Sequence, residues 1–158
     1  MSRLSPEEIL YRIENSGIEP AYTTARCTKE EIEKLEKECH LKLPEVYKRF
    51  LLSFGKSTGS SFLGEAIFLY SGILEFQHLV DQEARNKIPS TAYVFLIHDV
   101  LILFFDTAIG DDPPIYRLME HDSKPEKVFD SFTEWLNDYV LSEVESILDL
   151  RDKKSQQQ

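Results

Sequence analysis

The chain has 158 residues, of which 42% are hydrophobic and 11% aromatic, and this size and composition are typical of one compact globular domain. Its 28 acidic residues outnumber 18 basic ones; the formal net charge of −10 disfavours binding to nucleic acid or anionic membranes and favours a basic protein partner, although it would also serve solubility alone. Cys27 and Cys39 cannot build a disulfide framework, and neither a signal-peptide pattern nor a membrane-length apolar run is found, so we expect a cytoplasmic protein without membrane contact.

Three helices are predicted in the first third of the chain. Ser5 is a good N-cap residue before Pro6 at the first helical position, and Thr28 with Glu31 forms a capping box. Pro44 begins the third helix. Apolar residues recur at helical spacing in each segment: Ile9, Leu10 and Ile13; Ile32, Leu35 and Cys39; Val46, Tyr47, Phe50, Leu51 and Phe54.

The middle of the chain predicts a loop, a strand and a helix in succession. Residues 56–64 are rich in Ser and Gly and predict a loop. Residues 66–70 predict a short strand, and apolar residues at helical spacing predict a helix over residues 74–86.

A β-hairpin is predicted next. Two apolar runs, Tyr93–Ile97 and Val100–Phe105, flank the step His98-Asp99. The runs are apolar throughout and do not alternate, which is typical of strands covered on both faces. Residues 110–114 (Gly-Asp-Asp-Pro-Pro) predict a turn, and Ile115–Glu120 predicts another strand.

The last predicted helix begins at Ser131, which forms a second capping box with Glu134, and runs to about Leu150. The element order therefore predicts an α+β fold: an antiparallel β-sheet packed with N-terminal helices and a long C-terminal amphipathic helix. We expect one domain over residues 1–150 and a polar, frayed tail over residues 151–158.

Motifs that could indicate an enzyme lack the context they need. Residues 55–59 match G-x-S-x-G around Ser57, but that nucleophile turn requires a strand before it and a helix after it. The steps His98-Asp99 and His121-Asp122 point neighbouring side chains to opposite faces of a strand, so neither can hold a metal ion by itself. We therefore expect no catalytic residues, no cofactor and no bound metal.

Acidic residues between the hydrophobic strands are the candidates for binding a partner. Asp106, Asp111 and Asp112 lie on loops, where a rigid scaffold usually presents its binding residues. Glu65 and Tyr70 complete the set of residues predicted to contact a protein. The alternative is that Asp111 and Asp112 only favour a solvated turn.

The segment Ile32–Leu51, with Leu-Pro-Glu-Val-Tyr-Lys-Arg-Phe-Leu at 43–51, resembles the opening of the SUKH superfamily, which joins cell-wall assembly regulators of the Smi/Knr kind to many bacterial immunity proteins. The strand that ends at Asp106, the Pro-rich turn, and Phe-Asp-Ser-Phe-Thr-Glu-Trp-Leu at 129–136 resemble its later part. The resemblance extends from Thr28 to Val140. In two places the chain departs from the pattern: His40 replaces a frequent Gly, and Gly-Lys-Ser-Thr-Gly follows Phe54 instead of Asn-Gly-Gly.

The resemblance implies an α+β domain without catalytic residues. For many bacterial members it further implies neutralisation of a cognate polymorphic toxin, often a nuclease, and an acidic protein suits such a basic partner. The alternative is a regulatory or scaffolding protein of the cell-wall regulator type that acts on a cellular protein complex. The sequence leaves the partner's identity and the oligomeric state open.

Overall fold

A computed structural model describes residues 4–15, 24–25, 27–54, 57–58, 80, 82–98 and 100–156. The predicted strand 66–70 and the first part of the predicted helix 74–86 lie outside these residues. In chain order the elements are α1 (Pro6–Glu14), β1 (Thr24–Ala25), α2 (Lys29–Cys39), α3 (Glu45–Phe54), β2 (Ser57–Thr58), α4 (Gln82–Arg85), β3 (Ala92–His98), β4 (Leu101–Asp106), a 3₁₀ turn (Thr107–Ile109), β5 (Ile115–Met119), β6 (Glu126–Phe129), α5 (Phe132–Trp135), a π-helical segment (Leu136–Leu141) and α6 (Ser142–Gln156).

The starts predicted for the first two helices are confirmed. The Ser5 hydroxyl accepts a hydrogen bond from the backbone N–H of Glu8, whose carboxylate accepts one from the Ser5 N–H in return. Thr28 and Glu31 make the same reciprocal pair at the start of α2. Each box satisfies backbone donors that a helix leaves without intrahelical partners in its first turn.

Four antiparallel strands form the main sheet in the order β3-β4-β5-β6. The predicted hairpin is β3 and β4, with Tyr93 opposite Phe105 and Val94 opposite Phe104. A bulge between Val94 and Leu96 directs both Phe95 and Leu96 to the same face, where each is buried. The sheet and helices confirm the predicted α+β class.

Both faces of the sheet are buried, as the continuous apolar runs predicted. We call the face toward the helices the inner face; it carries Tyr93, Phe95 and Phe105 against α1–α3, α5 and the π-helical segment. The opposite, outer face carries Val94, Ile102, Phe104 and Leu118 in a smaller cluster with Val80 and Ile88. The larger inner cluster is the main core, and its aromatic rings meet edge-to-face and stacked around Tyr47 and Phe132.

The chain is helical from Phe132 to Gln156, but a single long amphipathic helix is not found. The π-helical segment separates α5 from α6, and the Ser142 N–H reaches the Asn137 carbonyl five residues back. In an α-helix, residues five apart lie about 140° apart around the axis. The wider π turn brings Leu136 and Leu141 closer to one side, where both are buried and α1 packs.

Three further local predictions need correction. Residues 57–58 are not loop: β2 pairs with β1, with Thr24 opposite Thr58, a contact between distant segments that no local pattern indicates. Strand β6 was not predicted, because two of the four residues in its sequence, Glu-Lys-Val-Phe, are charged. It pairs with β5 after the turn at residues 120–125. Helix α6 also continues past the predicted end at Leu150, into the segment expected to fray.

Candidate functional site

The acidic turn at residues 110–114 joins the starts of two helices. The Asp112 carboxylate accepts hydrogen bonds from the Thr133 backbone N–H (2.9 Å) and hydroxyl (2.6 Å) at the start of α5. The Asp111 carbonyl accepts the Val46 N–H of α3 (3.1 Å). These are orphan donors of the first helical turn, and the negative charge also suits the positive end of the helix dipole.

The two aspartates of this turn therefore have different surroundings. Asp112 is engaged through its side chain, so turn and cap chemistry account for it. Asp111 is engaged through its backbone, and its side chain is exposed. Of the predicted pair, Asp111 presents the carboxylate that a partner could reach without breaking an internal hydrogen bond.

Asp106 is also held from within. Its Oδ1 accepts hydrogen bonds from the Thr91 hydroxyl (2.6 Å) and from the Ala108 N–H (2.9 Å), which caps the 3₁₀ turn. This arrangement fastens the end of β4 to the loop before β3. The other two predicted contact residues, Glu65 and Tyr70, lie outside the described residues, and their role stays a prediction.

The outer face of the sheet carries two shallow hollows, which sequence reasoning did not identify. The first has a volume of about 230 Å³ and is lined by Ile97, Val100, Ile102, Leu118 and Met119, with α4 along one side. The second has a volume of about 290 Å³ and includes Pro89, Phe104, Ile109, Tyr116 and Pro125. We call the two hollows together the outer groove.

One basic side chain connects the two hollows of the outer groove. Lys87 lines both, is 21% exposed, and lies 3.4 Å from the Glu83 carboxylate. Glu83 and Glu120 lie at the first hollow and Asp106 at the second. The lining of the groove therefore combines apolar side chains with carboxylates.

The step His121-Asp122 is a turn in this fold. The Asp122 carboxylate accepts the Met119 N–H (2.9 Å) and closes the turn after β5, while the His121 side chain is 94% exposed. Within the described ranges, no group of three His, Cys, Asp or Glu residues is placed to hold a metal ion. His98 ends β3. Ser57 lies on β2, and the described element before it is helix α3, whereas a nucleophile turn follows a strand.

Burial raises the pKa values of one cysteine and two tyrosines among the described residues. Burial raises the pKa of the Cys39 thiol, and the nearby Glu38 carboxylate raises it further, which opposes formation of a nucleophilic thiolate. Burial also raises the pKa values of Tyr47 and Tyr93, whose hydroxyls are hydrogen-bonded at 3.3 Å inside the core. These hydroxyls belong to the packing of the sheet against α3 and face no cavity of the outer groove.

The comparisons with known proteins agree with the resemblance noted in the sequence. The family model of the SMI1 / KNR4 family (SUKH-1) matches residues 26–138, a span that includes α2, α3 and the whole main sheet. No curated protein matches the chain. In the part of the chain that the structure describes, no helix has the length and apolar content needed to span a bilayer.

Proposed function

Because the chain belongs to the SMI1 / KNR4 family (SUKH-1), we propose that it is a non-enzymatic protein-binding module, and that it serves as an immunity protein that neutralises a cognate toxin. The family match over residues 26–138 is the observation that carries the proposal. The fold supports it: the outer face of the sheet offers an apolar groove, and the turn at 110–114 offers an exposed carboxylate at Asp111.

Charge favours a basic partner. The net charge of −10 would attract a protein with a positive surface and raise its association rate. Toxin domains that cut nucleic acid need such a surface to approach their substrate. We therefore propose that the partner is a basic toxin domain, with nuclease as the first class to test, and that the complex forms in the cytoplasm, where the free thiols of Cys27 and Cys39 would stay reduced.

The test is to co-express this protein with each toxin domain encoded beside its gene. We expect cell survival only when the protein is present, and co-purification of the two chains as a stable complex. Failure to protect against or to bind any of these toxin domains would contradict the proposal.

A matched variant separates binding from catalysis. The triple substitution Ser57→Ala, His98→Ala and His121→Ala removes the residues of the enzyme-like motifs. We expect this variant to protect as well as the wild type, because a blocking protein needs no reactive group. Loss of protection with retained binding would instead indicate that the protein acts chemically on the toxin.

A regulatory or scaffolding role is the second candidate, and it is favoured by the regulator branch that gives the family its name. In that case the partner is a component of a cellular complex and no toxin gene lies nearby. Co-purification with such a complex, together with failure to protect against any toxin, would favour this role.

A further inference from the structure

Two exposed apolar side chains lie at one end of the outer groove. Val100 is 49% exposed at the β3–β4 turn, and Met119 is 39% exposed at the end of β5, next to Leu101 in the sheet register. Both line the first hollow. Ile109, at 51% exposure, lies at the second hollow. The groove therefore has an exposed apolar contact at each of its two hollows.

The size of the hollows indicates what they can hold. Pockets for metabolites and cofactors usually enclose about 300–1,000 Å³. The two hollows, at about 230 and 290 Å³, lie below and at the lower limit of that range. Each suits a single apolar side chain from a partner, which is how anchor residues of protein interfaces bind.

Charge decides between two kinds of partner. Lys87 is the basic residue among the described residues that line the groove, and its ammonium is already beside the Glu83 carboxylate. The Glu120 carboxylate is 61% exposed and lies 3.9 Å from the nearest ring nitrogen of His121, beyond hydrogen-bond distance. A second copy of this chain would bring a further net charge of −10 toward these carboxylates, which disfavours its approach.

We propose that the outer groove binds a partner segment with two apolar anchors flanked by lysine or arginine. One anchor enters the hollow at Val100 and Met119, and the other enters the hollow at Ile109. The basic residues face the exposed Glu120 carboxylate. The inference rests on the proposed protein-binding function and names the surface and the chemistry by which the partner is recognised.

The methionines provide a direct probe of this surface. The chain has two methionines, Met1 and Met119, so ¹³C-methyl labelling of methionine gives one resonance from the groove and one from the N-terminus. The probes are three synthetic peptides of equal length: one with leucines and lysines on a helical pattern, one with each lysine replaced by glutamate, and one with each leucine replaced by serine.

We expect the leucine–lysine peptide to shift the Met119 resonance and to leave the Met1 resonance unchanged. Binding should weaken at least tenfold for each of the other two peptides, and it should weaken as salt is raised because exposed charges are screened. Val100→Ser should weaken binding about fivefold or more. The matched control is Leu150→Ser, which changes an apolar residue on α6 that is more exposed than Val100 (60% against 49%) and should leave binding unchanged.

Three results would overturn the inference. The first is an unchanged Met119 resonance at saturating peptide. The second is equal binding by the wild type and by Val100→Ser, after urea unfolding has shown that this surface variant is folded. The third is a Met119 shift that depends on protein concentration together with a dimer in analytical ultracentrifugation, which would assign the groove to a second copy.

The same variants separate this inference from the proposed function. If wild type and Val100→Ser protect equally against a toxin domain, the immunity role stands and the groove assignment falls. If no toxin domain is neutralised but the peptide binds at Met119, the immunity role falls and the groove assignment stands.

Discussion

Asp112 and Asp111 are neighbours in sequence, and the structure predicts a large loss of stability when Asp112 is replaced by alanine and a small change when Asp111 is. The Asp112→Ala substitution removes both hydrogen bonds to Thr133 and leaves the start of α5 with an unsatisfied N–H. The Asp111→Ala substitution keeps the backbone carbonyl that binds the Val46 N–H and removes only an exposed carboxylate.

The expected magnitude for Asp112→Ala follows from these contacts. Loss of a helix-capping side chain costs about 1 kcal/mol, and loss of an exposed hydrogen bond to the Thr133 hydroxyl adds about 0.5 kcal/mol. The sum is about 1.5 kcal/mol of the free energy of unfolding. With a urea dependence of about 2 kcal/mol per molar, the unfolding midpoint should fall by about 0.7 M. Asp111→Ala should change the free energy of unfolding by less than about 0.5 kcal/mol.

Urea unfolding followed by circular dichroism and by the fluorescence of Trp135 measures both variants under the same conditions. Trp135 is the single tryptophan and lies fully buried two residues after Thr133, so its emission reports on this helix start. A midpoint for Asp112→Ala within about 0.2 M of the wild type, or an equal loss for Asp111→Ala, would refute the assigned roles. If Asp111 contacts the partner as predicted, its variant should instead lose affinity while remaining stable.

Three further predictions concern the core and one helix end. Tyr47→Phe should lower the free energy of unfolding by about 1–2 kcal/mol, because it leaves the buried Tyr93 hydroxyl without this hydrogen-bond partner. Adding Tyr93→Phe should restore part of the loss. A double-mutant cycle in urea measures this coupling, and strictly additive effects would contradict it. Burial raises the pKa values of both tyrosines, so as the pH rises past about 10 the tyrosines of the unfolded chain lose their protons before those of the folded protein. Their contribution to the free energy of unfolding is therefore full below that pH and declines above it. The double phenylalanine variant should lose less stability between pH 9 and 11 than the wild type, and an identical decline would count against this cause. His40→Gly should raise the free energy of unfolding by about 0.5–1 kcal/mol because His40 ends α2 in the left-handed conformation (φ 56°), and a lower thermal midpoint would show that its side chain stabilises the fold.

Much of the helical structure could be predicted because its causes are local. A capping box joins residues three apart, so Thr28 and Glu31 can be read directly from the sequence and are found paired. The buried stripe of α3 follows from helical spacing alone, and Val46, Tyr47, Phe50 and Leu51 are all buried. The observed φ of His40 also explains why sequences of the SUKH pattern often have a glycine at this position. Glycine adopts the left-handed conformation without steric cost.

The second capping box shows where local reasoning stops. The Ser131 hydroxyl accepts the Glu134 N–H as predicted, but the Glu134 carboxylate accepts the Asp130 N–H instead of returning to Ser131. The next free donor, on Thr133, is satisfied by Asp112 from a turn 21 residues earlier in the chain. A hydrogen bond over that distance depends on the packed sheet, and no spacing rule could predict it.

The sequence by itself determined the fold class, the family, the hairpin of β3 and β4, and the acidic character that favours a basic partner, because these depend on composition, on short-range periodicity and on one extended pattern of residues. Tertiary structure alone decided which aspartate side chain of the turn is exposed without an internal hydrogen bond, and that 57–58 pairs with 24–25. It also decided that a π turn interrupts the last helix, and that Val100 and Met119 line one hollow of the outer groove while Ile109 lines the other. Each of these features requires contacts between residues far apart in the chain. These contacts are stabilised by tertiary packing, which sequence patterns do not specify.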